Sequence, residues 1–101
     1  PEIFTVVEQM PVLIGGLEGV QSRLRYPEVA RMAGIEGIVH LQFVISEDGR
    51  VSDIVCLRDP GGGTCEAAIE AARDARFEPG RQRGRPVKVR YAMPVRFRLR
   101  G

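Results

Sequence analysis

A chain of 101 residues, 44% apolar and 28% charged, has length enough for one domain with a single modest core. Its composition is that of an ordinary soluble globular protein, and no apolar run approaches the ~20 residues of a membrane-spanning helix. The formal charge of +2 hides a dipole: residues 1–72 carry 5 basic and 11 acidic side chains, a balance of −6, and residues 73–101 carry 10 basic and 2 acidic, a balance of +8. A basic tail of that size either steers an acidic partner or polyanion or is a solvated sheet face that arginine keeps soluble.

In chain order, Pro1-Glu2-Ile3 has neither the basic start nor the apolar h-region of a signal peptide, so the chain reads as a fragment of something longer. Ile3, Thr5, Val6 and Val7 are β-branched and suit a short strand or an arm. Gly15-Gly16 breaks the chain, and Leu17, Val20 and Leu24 then recur at helical spacing, which predicts a helix within 16–25, weakened by Gly16 and Gly19. Pro27 suits a helix's first turn and Gly34 its stop, so a short helix is expected over 27–33. Val39, Leu41, Phe43 and Ile45 alternate with the mixed set Ile38, His40, Gln42 and Val44, the pattern of a central antiparallel strand over 38–45 with helices on one side.

Glu47-Asp48-Gly49-Arg50 supplies a hairpin turn, with Glu47 and Asp48 exposed and expected to keep ordinary pKa values. The return strand covers 51–57. Val51 is out of phase with Ile54 and Cys56, which predicts a bulge or an irregular start. After Asp59-Pro60-Gly61-Gly62-Gly63, Thr64 stands as an N-cap for a helix over 64–75, with Glu66 in its positive first turn. A basic loop over 81–86 leads into the longest alternation in the chain. Val87, Val89, Tyr91, Met93, Val95, Phe97 and Leu99 are apolar or aromatic, and Lys88, Arg90, Arg96 and Arg98 stand between them. This strand over 87–99 would reach roughly 40 Å, longer than most strands. Pro94, with no N–H to donate, places it at a sheet edge or bulge, where its backbone is open to an extended peptide.

The order helix, strand, strand, helix, strand with a tight hairpin predicts an α+β two-layer sandwich. Cys56 and Cys65 either form a disulfide closing a ten-residue loop or remain two buried thiols, and His40 is the single histidine, so no metal or catalytic constellation forms and no cofactor or enzymatic activity is expected. Gly61-Gly62-Gly63-Thr64 lacks the lysine and spacing of a P-loop. Tyr91 and Phe97 lie on the apolar face rather than the basic one, which argues against a nucleic-acid stacking platform.

Four motifs in order carry a resemblance. Tyr26-Pro27, Gly34-Ile35-Glu36-Gly37, Asp48-Gly49-Arg50-Val51 and Phe77-Glu78-Pro79-Gly80 resemble the C-terminal domain of TonB-type energy transducers, and Arg85-Pro86-Val87-Lys88-Val89 with Pro94-Val95-Arg96-Phe97 resembles the closing strand of one branch. The resemblance implies two helices packed on one face of a three-stranded antiparallel sheet with a long C-terminal edge strand, over 26–101, preceded by an arm and short helix over 1–25. It implies a periplasmic domain of an inner-membrane-anchored protein, energised by ExbB–ExbD, that grips the TonB box of an outer-membrane transporter by β-strand addition for uptake of siderophores, cobalamin or similar nutrients. Carried onto this chain, the peptide-binding residues are Val87, Lys88, Val89, Arg90, Tyr91, Ala92, Met93 and Arg96, with Tyr26 and Pro27 nearby. Arg90, Tyr91, Ala92 and Met93 are the central pairing positions. A periplasmic location favours oxidation of Cys56 and Cys65. The same edge also admits a homodimer. Where family members often carry a tryptophan, this chain has Ala75-Arg76-Phe77, and Phe77 is expected to fill the core. Alternatives are a same-fold module attached to a membrane sensor or peptidase, or a polyanion-binding domain.

Overall fold

The longest alternation forms the longest strand. In the computed structural model, which describes residues 2–100, β7 runs Arg85–Phe97. At about 3.4 Å per residue its 13 residues span about 44 Å, close to the molecule's largest dimension of 49 Å. Before it come β1 (Ile3–Phe4), β2 (Val12–Leu13), α1 (Gly16–Arg23), α2 (Glu28–Ala33), β3 (Gly37–Ile45), β4 (Val51–Arg58), α3 (Thr64–Arg73), β5 (Phe77–Glu78) and β6 (Gly80–Gln82). The outer ends of the ranges 1–25 and 26–101 lie outside the described residues.

The sheet order is β1-β7-β3-β4, with β6 also paired to β7. β3 is flanked by antiparallel neighbours on both sides. Its nine residues pair without interruption from Gly37↔Phe97 to Ile45↔Val89. This is the expected three-stranded core with two short strands added. β1 joins in parallel at Ile3↔Lys88 and Phe4↔Val89, and β6 forms a hairpin with the start of β7, Gly80↔Val87 to Gln82↔Arg85. That hairpin draws the start of β7 back to Arg85. At the other end the Glu36 carboxylate accepts the Leu99 N–H at 2.6 Å, so a side chain takes the place of the ladder beyond Phe97.

One sheet face carries the core. Val39, Leu41, Phe43 and Ile45 from β3, and Met93, Val95 and Phe97 from β7, are buried against Cys65, Ala68, Ala71 and Ala72 of α3. The small side chains of α3 let its backbone lie close to the sheet. Phe77 is 3% exposed and fills the core as expected. It packs with Phe43 and Tyr91 at ring-centroid distances of 5.8 and 5.1 Å, within the range where aromatic pairs attract.

β4 is irregular. Between Gln42↔Val55 and Val44↔Ser52 it carries an extra residue, and a second shift lies between His40 and Leu41. Asp53 takes a positive φ of 55° at the first. This is the bulge that the phase slip between Val51 and Ile54 announced. α3 is capped by Gly63 rather than Thr64. Thr64 is instead fully buried as the first helical residue, and its hydroxyl donates to the Gly61 carbonyl at 2.8 Å. The glycine loop ahead of it is set by packing. A Cβ on Gly62 would lie 2.9 Å from Ala30 Cβ and 2.8 Å from Ile35 Cδ1, so the loop is a close-contact turn.

Cys56 and Cys65 are joined in a disulfide, Cα–Cα 5.9 Å, tying β4 to the first turn of α3. Closing so short a loop contributes about 2–3 kcal/mol. The double replacement Cys56→Ser/Cys65→Ser is expected to lower the unfolding free energy by about that much in a urea titration, with little change in the slope. A shift below about 0.5 kcal/mol would show that the bridge does not restrain the unfolded chain.

The hairpin turn departs from expectation at Asp48. Ser46 Oγ donates to its carboxylate, and the Arg50 N–H donates to it at 3.2 Å. These bonds, with the nearby Arg50 guanidinium, hold the Asp48 pKa below its usual value of 3.8. Because the folded value is depressed, the stabilisation is present above pH 3.8 and is lost as pH falls through the folded value. The difference in melting temperature between the parent and Asp48→Ala is therefore expected to hold from neutral pH to about pH 4 and to shrink towards about pH 2. A constant difference across that range would remove the charge from the account.

Candidate peptide-binding edge

An antiparallel pair alternates residues that bond across the ladder with residues whose N–H and C=O face outward. On β7 the phase is fixed at Arg96. Its N–H donates to Gln21 Oε1 at 2.7 Å, and its carbonyl accepts from Gln21 Nε2 at 3.0 Å. Both groups therefore point away from β3, although Arg96 is the register partner of Ile38. The β3–β7 register is unbroken, so the even positions Lys88, Arg90, Ala92, Pro94 and Arg96 all present their backbone groups to the outer edge. The odd positions bond to β3.

Two of these even positions already have partners. Lys88 lies against β1, and Arg96 is held by Gln21. No strand pairs with the outer edge at 91–95 among the described residues. The bridge of Phe4 to Val89 takes the Arg90 N–H, which donates to the Phe4 carbonyl. Four main-chain groups remain there: the C=O of Arg90, the N–H and C=O of Ala92, and the C=O of Pro94. Pro94 thus costs the β3 ladder nothing, because its missing N–H would have faced outward. β7 is an edge strand over this window only, since β1 and α1 close the edge on either side.

The same positions set the charge. Arg90, Arg96 and Arg98 are exposed and Lys88 is partly so, and none of them joins an ion pair among the described residues. Their side chains lie on the sheet face away from the core, with His40 and Gln42 of β3. The other outer strand, β4, is a poorer template. Its two register shifts and the left-handed Asp53 break the regular spacing that a new strand needs.

Beyond Lys88 and Arg96, whose backbone groups have partners, the predicted site residues divide into three groups. Arg90 and Ala92 present open backbone groups. Tyr91, Met93, Val89 and Val87 serve the same strand but face the core side. Val89 and Met93 are buried, and Tyr91 packs on Phe43 at 5.8 Å. Tyr26 is a packing residue: it meets Phe97 edge to face at 5.4 Å and 86°, and its hydroxyl donates to the Ile35 carbonyl. Burial, reinforced by the Glu36 carboxylate, raises its pKa. Pro27 lies against the Gly63 loop. Gln21 drew no attention in the sequence, because a side-chain bond across 75 positions leaves no periodic trace.

The fold and edge define a class: a two-layer α+β module whose longest strand is open on one side over a short window. The chain belongs to the family described as the Gram-negative bacterial TonB protein C-terminal, which matches residues 22–99. It is a family of energy transducers in transport, not of enzymes. The chain is 32% identical over 98 residues to the TonB protein of Vibrio cholerae, covering 94% of this chain and 40% of that protein. It is 39% identical over 57 residues to the TonB protein of Helicobacter pylori, 55% of this chain and 20% of that one. It therefore spans less than half the length of these relatives. The solution structure of the Helicobacter pylori TonB C-terminal domain superposes with a TM-score of 0.63 at 27% identity, covering 84% of this chain and 90% of that one. That of the Pseudomonas aeruginosa domain gives 0.53 at 30%, covering 77% and 82%.

Proposed function

We propose that this chain is the gripping domain of a periplasmic energy transducer, and that the outer edge of β7 takes the TonB box of an outer-membrane transporter by β-strand addition. The observation that carries this reading is the row of four unclaimed main-chain groups at Arg90, Ala92 and Pro94, between the stretches of the edge that β1 and Gln21 cover. Buried polar groups are expensive and exposed ones are available. A regular row of them at strand spacing therefore suits one kind of ligand, another extended backbone. Such recognition is tolerant of sequence, which lets one transducer serve several transporters. The unpaired arginines beside the row favour acidic side chains around the bound segment and speed its arrival. The longer protein would supply an inner-membrane anchor driven by ExbB–ExbD, so that a pull on the gripped segment opens the transporter for siderophores, cobalamin or similar nutrients. The disulfide suits the oxidising periplasm.

Titration of the labelled domain with a transporter N-terminal peptide tests the reading by NMR. The Ala92 amide is expected to shift and to gain protection from hydrogen exchange, while the β4 amides hold still. A peptide with proline at its centre is expected to bind about tenfold or more weakly, since it loses a donor and cannot complete the ladder. Equal affinity for the two peptides would reject strand addition.

A further inference from the structure

We infer that Gln21 sets where the added strand must stop, its side-chain amide standing in for the next residue of a partner strand. The inference rests on the strand-addition reading above and adds a boundary to it. A primary amide carries an acceptor oxygen and two N–H donors, and its oxygen and one N–H point the same way, as the C=O and N–H of a single residue do in an antiparallel ladder. Gln21 presents both to Arg96, Oε1 to its N–H and Nε2 to its carbonyl, at 2.7 and 3.0 Å. These are the two contacts an incoming residue would make at that position of the ladder.

The backbone that carries Gln21 is fixed in place. Val20, the adjoining residue of α1, is 1% exposed in the core. The Arg23 side chain donates from Nε to the Ala71 carbonyl of α3 at 3.3 Å, and the Gln21 carbonyl accepts the Leu24 N–H that closes the helix. Removing Gln21 from the edge by moving its backbone would drag Val20 out of the core. α1 does not close off the whole edge, however. Between Leu17 and Gln21 on one side and Ile38, Pro94 and Arg96 on the other lies a cavity of about 310 Å³. Paired residues project their side chains to the same sheet face, so the cavity offers room for the side chain of the residue that pairs with Pro94. The added strand is thus bounded by β1, which takes the Arg90 N–H, and by Gln21 at Arg96. It fits a short core between the Arg90 and Pro94 carbonyls.

The consequence is a limit on useful peptide length. Two capped synthetic peptides of alternating threonine and valine, five and nine residues long, serve as probes against the parent, Gln21→Ala and Gln21→Glu. In the parent, the Ala92 amide is expected to shift with either peptide and the Arg96 amide to stay in place. In Gln21→Ala, the Arg96 groups are released. The nine-residue peptide is then expected to move the Arg96 amide, and its advantage over the five-residue peptide is expected to exceed the parent's by about three- to tenfold, the worth of two further hydrogen bonds. Gln21→Glu keeps an acceptor for the Arg96 N–H but loses the donor to its carbonyl, and is expected to fall between the two. It retains the helix face should the alanine variant melt early. A parent whose Arg96 amide moves with the longer peptide would show that Gln21 yields, and would overturn the inference. So would a Gln21→Ala variant with the parent's length dependence. If neither peptide moves the Ala92 amide in the parent, strand addition itself fails, a result distinct from both.

Discussion

Gly49→Ala is expected to lower the unfolding free energy by about 3 kcal/mol, and Gly84→Ala by about 1 kcal/mol. Both glycines sit in hairpin turns with positive φ, 82° and 76°, so both substitutions meet the backbone penalty that L-residues bear there. The difference lies in what surrounds them. A Cβ on Gly84 would meet nothing within 4 Å, whereas one on Gly49 would sit 1.9 Å from the Phe77 carbonyl oxygen. That carbonyl cannot withdraw freely. The Phe77 N–H donates to the Gly49 carbonyl at 2.9 Å, Leu13 pairs with Phe77, and the Phe77 ring is buried between Phe43 and Tyr91. In a domain of this size the larger effect corresponds to a fall in melting temperature of about 12–24 °C. Equal melting temperatures for the two variants would show that the close approach of the turn to Phe77 contributes nothing.

Ala92→Pro is expected to weaken transporter-peptide binding by about tenfold or more while leaving the fold in place. The N–H it removes faces the outer edge, so no β3 ladder bond is lost. Pro94 already occupies the next position of the same parity without disturbing the register, and Tyr91 is already extended, as the residue before a proline requires. A proline one place further on, at Met93, would strike the bond to β3 and is expected to unfold the domain. The pair of variants separates the two sides of a single strand. An Ala92→Pro domain that is folded and binds with the parent's affinity would show that the peptide does not pair with β7.

How much of this was legible in the sequence depended on range. The alternation over 87–99 disclosed a strand with one apolar and one cationic face, and Pro94 disclosed that part of it lies at an edge. The phase slip after Val51 disclosed a bulge. These signals are local, because side chains on a strand alternate whatever their neighbours. β1 and β2 are two residues each, too short to carry a period, so the arm that covers Lys88 could not be placed from its own residues. Gln21 and Gly49 matter through contacts with Arg96 and Phe77, distant along the chain. The local pattern marks Gly49 as a turn residue but not its approach to Phe77, and nothing local marks Gln21. Thr64 was misplaced by one residue because threonine and glycine both suit a helix start, and the choice fell to the packing of Gly62 against Ala30.

The proline at position 94 also bears on how copies of this domain treat one another. Two β7 edges brought together antiparallel about a twofold axis at Ala92 would set each Arg90 opposite the other copy's Pro94, leaving each Arg90 carbonyl without a donor. The same register would set Lys88 opposite Arg96 across the seam, like charges where neighbouring strands normally attract. In that register the edge is poorly suited to a second copy of itself.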